Sequence, residues 1–372
     1  MSASHLLHVF SNFVPTGPEL RTVELIGALG RDFRHSIVSM DGRTSAAERL
    51  SPEVEVHLLP SPPKAGSFAT ARRLRRLLQA ERPDLMLTYN WGAFDMLLAA
   101  RSTGFRRLIH HEEGFNEDEA ERLKVRRIWA RRLLLPGAAA LVVPSTRLRS
   151  IAVEQWRLPP ERVRLIPNGI RLDRFAPADG NPELRARLGI PPQALVVGTV
   201  GSLRAVKNQA RLLEAAALRG NLHLLLVGEG EERPLLEARA AAPDLAGRVT
   251  FAGHQEEPAP LYRAMDIFAL TSDSEQMPVS LLEAMASCLP AVSTDVGDVR
   301  AMLPPEQSPY VVPREGAVAS LAERISALAA DPSLRRELGL LNRKRAEERY
   351  SFDTMCARYR EVYESVLMLT SS

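Results

Sequence analysis

Short apolar runs, each followed by a turn and then a helical stretch, recur along most of this chain, and that alternation constrains the fold more than any other feature. LLHVF (6–10), SIV (36–38), DLMLTY (84–89), RLIH (107–110) and AALVVPS (139–145) read as buried strands. They alternate with helical stretches at 18–29, 67–80, 92–101, 119–135 and 146–156. Strands separated by whole helices cannot close tight hairpins, so the pattern implies βαβ units and a parallel sheet. The cycle then starts afresh with ALVVGTVGS (194–202), NLHLLLVG (221–228), RVTFAG (248–253), DIFALTS (266–272) and LPAVSTDVG (289–297). No short repeat period is visible, which excludes a solenoid. The expected fold class is α/β, with two doubly wound, Rossmann-like domains.

Between the two cycles lies IPNGIRLDRFAPADGNPELRARLGIPPQ (166–193), whose five prolines mark a hinge. After Val311 the pattern becomes helical over 316–330, 332–349 and 352–369, with Asp331-Pro332 as cap and first position of the middle one. The expected domains are 1–170, 171–350 and a terminal helix, 351–372, crossing back to the first. A length of 372 residues suits two domains, and 45% hydrophobic against 25% charged residues excludes a disordered chain. Two cysteines, Cys288 and Cys356, exclude a disulfide scaffold and a cysteine-rich metal cluster. The opening MSASHLLHVFSNFVP is too polar for a secretory leader, and no apolar run approaches a membrane span. A cytoplasmic globular protein is the expectation.

The formal net charge of +3 hides an asymmetry: residues 1–173 carry +7 and residues 174–372 carry −4. Two halves of opposite sign suggest different partners. Nucleic acid is not among them, because no basic stripe is interleaved with aromatics. Only Lys64, Lys124, Lys207 and Lys344 among the 48 cations are lysine.

In such sheets, ligands sit beyond the carboxyl ends of the strands, where helix N-termini point. The stretch SDSEQMPVSLLEAMASCLPAVSTDVGD (272–298) places Glu275 in the loop after a strand and Glu283 in the following helix. A helix starting near Val279 puts Glu283 one turn in, with its side chain directed back toward Glu275. The backbone amides of Met277, Pro278 (which lacks an N–H), Val279 and Ser280 lie between the two carboxylates. Amides for an anion and carboxylates for sugar hydroxyls make a site for a phosphate-bearing, hydroxyl-rich ligand. Ser280-x-x-Glu283 is equally the spacing of a capping box, in which Glu283 only satisfies backbone donors.

This stretch resembles the signature of retaining GT-B glycosyltransferases of the family 4 (group 1) type, S-x-x-E-G-x-P followed by L-L-E-A-M-A-x-G-x-P-V-V-A-T. The resemblance implies the GT-B architecture, two Rossmann-like domains facing across a cleft with the C-terminal helices packing back toward the first. It implies that Glu275 and Glu283 contact the donor sugar and the nucleotide ribose. Gln276 and Cys288 stand where the pattern has glycine, while the seven-residue gap between the glutamates is intact.

VVGTVGSLRAVKNQARLLEAA (196–216) is strand, glycine turn and helix, a layout that binds phosphate at a helix start. It is similar to the family's G-R-L-x-x-x-K-G/N, whose cations neutralise the donor diphosphate. Lys207 and Asn208 match; Ser202 holds the arginine position and Arg204 follows two residues on. VPTGPELRTVELIGAL (14–29) is similar to the family's glycine-rich first loop, with Gly17 as its remaining glycine. IPNGI (166–170) fits the hinge motif, and LVGEGEE (226–232) and FAGHQEEPAPLYRAMDIFALTSDSE (251–275) fit the loops around the base. The His110-His111 doublet ends a strand where the family carries a histidine beside the reacting centre; His110 aligns best, with His111 the alternative. HHEE lacks the spacing of a metal site, so no metal is expected.

Two arginine clusters, Arg72-Arg73-Leu-Arg75-Arg76 and Arg122, Lys124, Arg126, Arg127, Arg131 and Arg132, fall on first-half helices among Leu, Ile and Trp129. They read as solvated faces, or as a basic surface for an anionic membrane. The expected function is transfer of a sugar from a UDP- or GDP-sugar to a hydroxyl of a lipid-linked or saccharide acceptor in cell-envelope synthesis. Glu275, Lys207 and His110 are the expected catalytic residues, with no obligatory cofactor and a place on the cytoplasmic face of the membrane. The rivals are a sugar-nucleotide epimerase or hydrolase on the same fold, and a non-catalytic nucleotide-sugar binding protein.

Overall fold

The computed structural model describes residues 3–63, 66–115, 119, 123–177, 181–220 and 222–369. Arg122 of the second basic cluster and Lys64 lie outside these residues. The chain divides into two compact units, Met1–Pro167 with Met355–Ser372, and Asn168–Thr354.

In the first unit, β1 (Ser4–Phe10), β2 (Phe33–Ser39), β3 (Val56–Leu59), β4 (Leu85–Tyr89), β5 (Leu108–His111), β6 (Ala140–Val143) and β7 (Val163–Leu165) form one sheet in the order β3-β2-β1-β4-β5-β6-β7. All its pairings are parallel. The central strands β1, β4 and β5 are buried almost throughout, as expected of strands covered on both faces. The edge strands β3 and β7 do not stand out in the sequence. β3 is half-exposed and β7 is three residues long with Arg164 at its centre, so neither has a continuous apolar run.

The second unit contains β8 (Leu195–Val200), β9 (Leu222–Val227), β10 (Val249–Gly253), β11 (Ile267–Leu270), β12 (Ala291–Thr294) and β13 (Val311–Val312) in the order β10-β9-β8-β11-β12-β13, again parallel. Successive residues feed opposite faces. Val196, Leu225, Phe268 and Leu270 join one apolar layer, and Val197, Leu224, Ile267 and Ala269 join the other. Both sheets follow the 3-2-1-4-5-6 order of doubly wound folds, which leaves a switch point between β1 and β4 in one unit and between β8 and β11 in the other.

The three predicted C-terminal helices form as Ala317–Ala330, Pro332–Arg349 and Phe352–Leu367. Asp331 caps the second, its carboxylate accepting from the Leu334 N–H at 2.9 Å, with Pro332 in the first turn. From Met355 onward the last helix belongs to the first unit. Its Arg360 pairs with Asp32 at 2.7 Å, and the Arg107 guanidinium donates to the Leu369 carbonyl. Among the described residues, no helix is long and apolar enough to cross a membrane.

Candidate active site at the switch point of the second sheet

The loops leaving β8 and β11 meet beyond the carboxyl ends of those strands. Lys207, at the end of the β8 loop, donates from Nζ to Glu275 Oε1 in the β11 loop at 2.6 Å, across 68 positions of sequence. The same carboxylate oxygen accepts from Ser272 Oγ at 2.7 Å. Lys207 and Glu275 keep 24% and 10% of their side-chain surface in solvent, so the pair is held yet reachable. Lys207 and Glu275, which the family resemblance assigns to one donor site, are in direct contact.

Asp273 fixes the two loops to each other. Its Oδ2 accepts from Asn208 Nδ2 at 2.9 Å and its Oδ1 from Arg211 at 2.7 Å, while its N–H donates to the Val206 carbonyl at 2.8 Å. Asn208 adopts a left-handed backbone (φ 46°) and caps the helix Gln209–Ala217, accepting from the Arg211 N–H. That conformation explains a position open to glycine or asparagine. Ser202 and Arg204 lie on the exposed part of the loop, with Arg204 Nε 3.1 Å from Ser202 Oγ.

Two glycines in GEG and one in DVGD let backbones approach here. A Cβ on Gly228 would lie 1.9 Å from the Gly201 carbonyl oxygen, and one on Gly230 would lie 2.2 Å from that of Leu203. Gly297, left-handed at φ 54°, lies so close to the β11 loop that a Cβ would meet the Gln276 oxygen at 2.5 Å and the Glu275 oxygen at 2.6 Å. Asn168 of IPNGI holds the loop from the other side, donating from Nδ2 to the Met277 carbonyl at 2.9 Å.

The following helix runs Val279–Ala286 with Pro278 before its first residue. Ser280 is therefore inside the first turn, and the capping box that its spacing to Glu283 allowed does not form. Glu283 instead accepts from the Tyr262 hydroxyl at 2.5 Å. Burial and then the Glu283 charge push the Tyr262 hydroxyl well above the usual phenol range. Of the two residues in glycine positions, Cys288 is left-handed (φ 58°), whereas Gln276 is not.

The remaining predicted residues lie in the first unit. Gly17 is the exposed first residue of the helix Gly17–Leu29, with open space where a Cβ would be. His110 and His111 are both fully buried. His110 shares a 2.8 Å hydrogen bond with Thr88 through Nδ1, stands edge-on to Phe94, and has Nε2 3.8 Å from Glu112. His111 stacks on Tyr89 at 4.5 Å and lies beside Tyr359 and Tyr363 of the C-terminal helix. Burial, reinforced by Arg21, holds its pKa well below the ordinary imidazole value. Within the second unit the structure thus brings Lys207, Asn208, Glu275 and the Met277–Glu283 segment together; His110 and Gly17 lie in the first unit.

The basic helix is also reassigned in part. Arg127 and Arg131 turn inward, pairing with Glu119 at 2.7 and 3.5 Å, and Arg131 also pairs with Glu112 at 3.1 Å. Burial alone would raise the Glu112 carboxyl, but Arg131 beside it brings it below the ordinary value.

A model described as glycosyl transferases group 1 matches residues 180–345, and one described as a glycosyl transferase 4-like domain matches residues 16–169. A putative glycosyltransferase, EpsF of Bacillus subtilis, is 30% identical over 310 residues, covering 79% of this chain and 80% of its own. The chain belongs to the group 1 glycosyltransferases. A UDP-Gal:alpha-D-GlcNAc-diphosphoundecaprenol alpha-1,3-galactosyltransferase of Escherichia coli is 27% identical over 234 residues, 60% of each chain. HepE of Anabaena, solved in complex with UDP, superposes with a TM-score of 0.80 at 19% identity, over 97% of this chain and 100% of that one. The fold is accordingly that of the GT-B glycosyltransferases.

In this glycosyltransferase, Asp273, Asn168, Gly297 and Tyr262 shape the cluster without having been singled out from the sequence. Asp273 and Gly297 sit inside the 272–298 signature, so their neighbourhood was visible. Their partners were not, because Asn208, Arg211 and the Glu275 carbonyl are contacts of the folded chain.

Proposed function

We propose that this glycosyltransferase binds a nucleotide diphosphate-sugar, UDP- or GDP-linked, in the second unit and transfers the sugar to an acceptor hydroxyl with retention. The observation that carries the reading is the 2.6 Å meeting of Lys207 and Glu275 at the sheet's switch point, with the start of the helix Val279–Ala286 in the same loop. An ammonium has three N–H donors, so Lys207 can hold Glu275 and still face a phosphate. The departing diphosphate gathers negative charge, which Lys207 and the helix-start amides stabilise. Glu275 accepts from the sugar hydroxyls and Glu283 from the ribose. Departure and attack take place on one face of the sugar: the bond from C1 to the diphosphate oxygen breaks, the bond to the acceptor oxygen forms, and the acceptor proton leaves with the diphosphate. Reaction without an obligatory metal belongs to this reading, so EDTA should leave turnover unchanged.

The acceptor is a lipid-linked or saccharide hydroxyl of the cell envelope, which the diphosphoundecaprenol specificity in the name of the E. coli relative supports. The first unit offers a face for a membrane carrying such an acceptor. Val125, Trp129 and Leu133 recur every four residues along Val125–Leu134 and stay about 60% exposed, at 60%, 62% and 62%. Arg126 is exposed beside them and Arg132 lies over the Trp129 ring at 5.0 Å. An apolar stripe flanked by cations suits an anionic bilayer at the cytoplasmic face.

The test is release of nucleoside diphosphate by the purified protein over a panel of UDP- and GDP-sugars, with and without lipid-linked and saccharide acceptors. Release that requires an acceptor, with the anomeric configuration kept in the product, is expected. Release without an acceptor, or binding without turnover, overturns the reading. Co-sedimentation with vesicles that is indifferent to anionic lipid, salt and Trp129→Ser removes the membrane face from it.

A further inference from the structure

We propose that Tyr262 is a positioning residue that pins the Glu283 carboxylate for a ribose diol and thereby sets a preference for ribonucleotides over 2′-deoxyribonucleotides; this rests on the donor reading above. Tyr262 ends the short helix Ala259–Tyr262 ahead of β11. Its ring is fully buried, 5.7 Å from Phe175 and 6.0 Å from Phe268. That packing fixes where the hydroxyl points, and it points at Glu283 Oε2 at 2.5 Å.

A buried phenol needs one acceptor, and the Ser280 carbonyl already stands 3.2 Å from the same hydroxyl. The need of the hydroxyl therefore does not account for a carboxylate. The single phenol proton goes to the shorter, charged contact, which is the stronger bond. A carboxylate has about four acceptor positions, so one bond from Tyr262 orients Glu283 and leaves capacity for the two ribose hydroxyls. The bond from Tyr262 adds to the ordering of Glu283 on its half-buried helix face, so less side-chain freedom is left to lose when nucleotide binds. A ligand lacking the 2′-hydroxyl leaves the fixed acceptor unmatched, which is the situation in which discrimination is large.

The experiment uses the full chain and calorimetric titration with UDP, GDP and their 2′-deoxy forms, on wild type, Tyr262→Phe, Glu283→Ala and the double variant. Tyr262→Phe should weaken the preferred ribonucleoside diphosphate about 5–10-fold, weaken the deoxy form, which keeps only the 3′-hydroxyl contact, by less, and add no loss to Glu283→Ala. In turnover it should raise the donor KM by a similar factor with kcat within about 2-fold. Glu283→Gln, which leaves the aromatic core intact, should lower the ribo-to-deoxy ratio independently. An unchanged ratio in Tyr262→Phe, equal weakening of both forms, or an additive loss in the double variant overturns the positioning role while leaving the donor site standing. Unaltered ribonucleotide affinity in Glu283→Ala, or no binding of either nucleotide by wild type, overturns the donor reading and the inference with it.

Discussion

The two units of this glycosyltransferase use charge in opposite ways, although they share one strand order. In the first, charged and titratable groups are folded inward. Arg131 lies with Glu112 and Glu119 and beneath the rings of Trp156 and Trp91, at 4.8 and 5.3 Å. His35, His8, Tyr89 and His111 continue across four strands as a chain of 3.0 Å hydrogen bonds ending in a ring stack. In the second, the Lys207–Glu275 pair stands at the strand ends within reach of solvent. Net charge per half, +7 against −4, therefore does not tell a sealed ion pair from an accessible one. Position at a switch point does, because an ion pair sealed in the interior stabilises the fold and meets no ligand.

Breaking the sealed network should have the largest effect. Arg131→Met leaves Glu112 buried beside no cation, and removing one partner of a buried pair costs about 3–5 kcal/mol. For a unit of this size that lowers the melting temperature by roughly 10 °C, and Arg131→Lys should not restore it, since lysine lacks the planar fork. A fall below about 3 °C would show the network to be dispensable.

Acid sharpens the same contrast. Burial holds His8 and His111 well below the ordinary imidazole value, with neighbouring His35 and Arg21 adding to it, and it holds His35 at about 4. A depressed folded pKa means that the unfolded chain takes up protons first. The stability these rings contribute is complete above about pH 6.5 and is lost as pH falls through that value; for His35 the loss continues down to about pH 4. Between pH 7.5 and 5.5 the melting temperature should therefore fall, with most of the loss below about pH 6.5. Hydrogen exchange should show β1, β2, β4 and β5 losing protection before β8 and β11. Simultaneous loss in both sheets would count against the histidine chain as its origin.

Lys207→Ala should do the reverse of Arg131→Met. Turnover should fall about 100-fold or more, roughly 3 kcal/mol of transition-state stabilisation. The melting temperature should move by less than about 2 °C, because a partly solvated pair contributes at most about 1 kcal/mol. Diphosphate release by a variant of unchanged melting temperature is the measurement. A large loss of stability with near-normal turnover would return this pair to a purely structural role.

What was readable in advance divides along the same line. The parallel α/β alternation and the helix start at Val279 follow from local patterns of apolar residues and spacing, and the family resemblance puts Lys207 and Glu275 in one site. The inward turn of Arg127 and Arg131 does not, because an arginine-rich helix has the same sequence whether its partners are water or the carboxylates of Glu112 and Glu119. His110 lies one residue before the end of β5, and its contacts with Thr88 and Phe94 could not be read from its position. Tyr262 reads as core, which it is; only its hydroxyl, 21 positions from Glu283 in sequence, reaches the site.

The two residues in glycine positions give the smallest effects and opposite signs. Cys288 ends the helix Val279–Ala286 in a left-handed conformation, its N–H on the Met285 carbonyl and that of Leu289 on the Ala284 carbonyl, the geometry of a glycine C-cap. A side chain there costs about 1–2 kcal/mol, part of which glycine returns through its freer unfolded state. Cys288→Gly should thus stabilise by about 0.5–1 kcal/mol and raise the melting temperature by roughly 1–3 °C. Gln276 has no left-handed backbone to relieve and is 8% exposed, so Gln276→Gly removes buried contacts and loosens the loop that carries Glu275. Its melting temperature should fall and its turnover with it. If both glycines stabilised, the β11 loop would be holding a strained Gln276, and the 2.6 Å contact between Lys207 and Glu275 would depend on that strain rather than on Asp273 and Gly297.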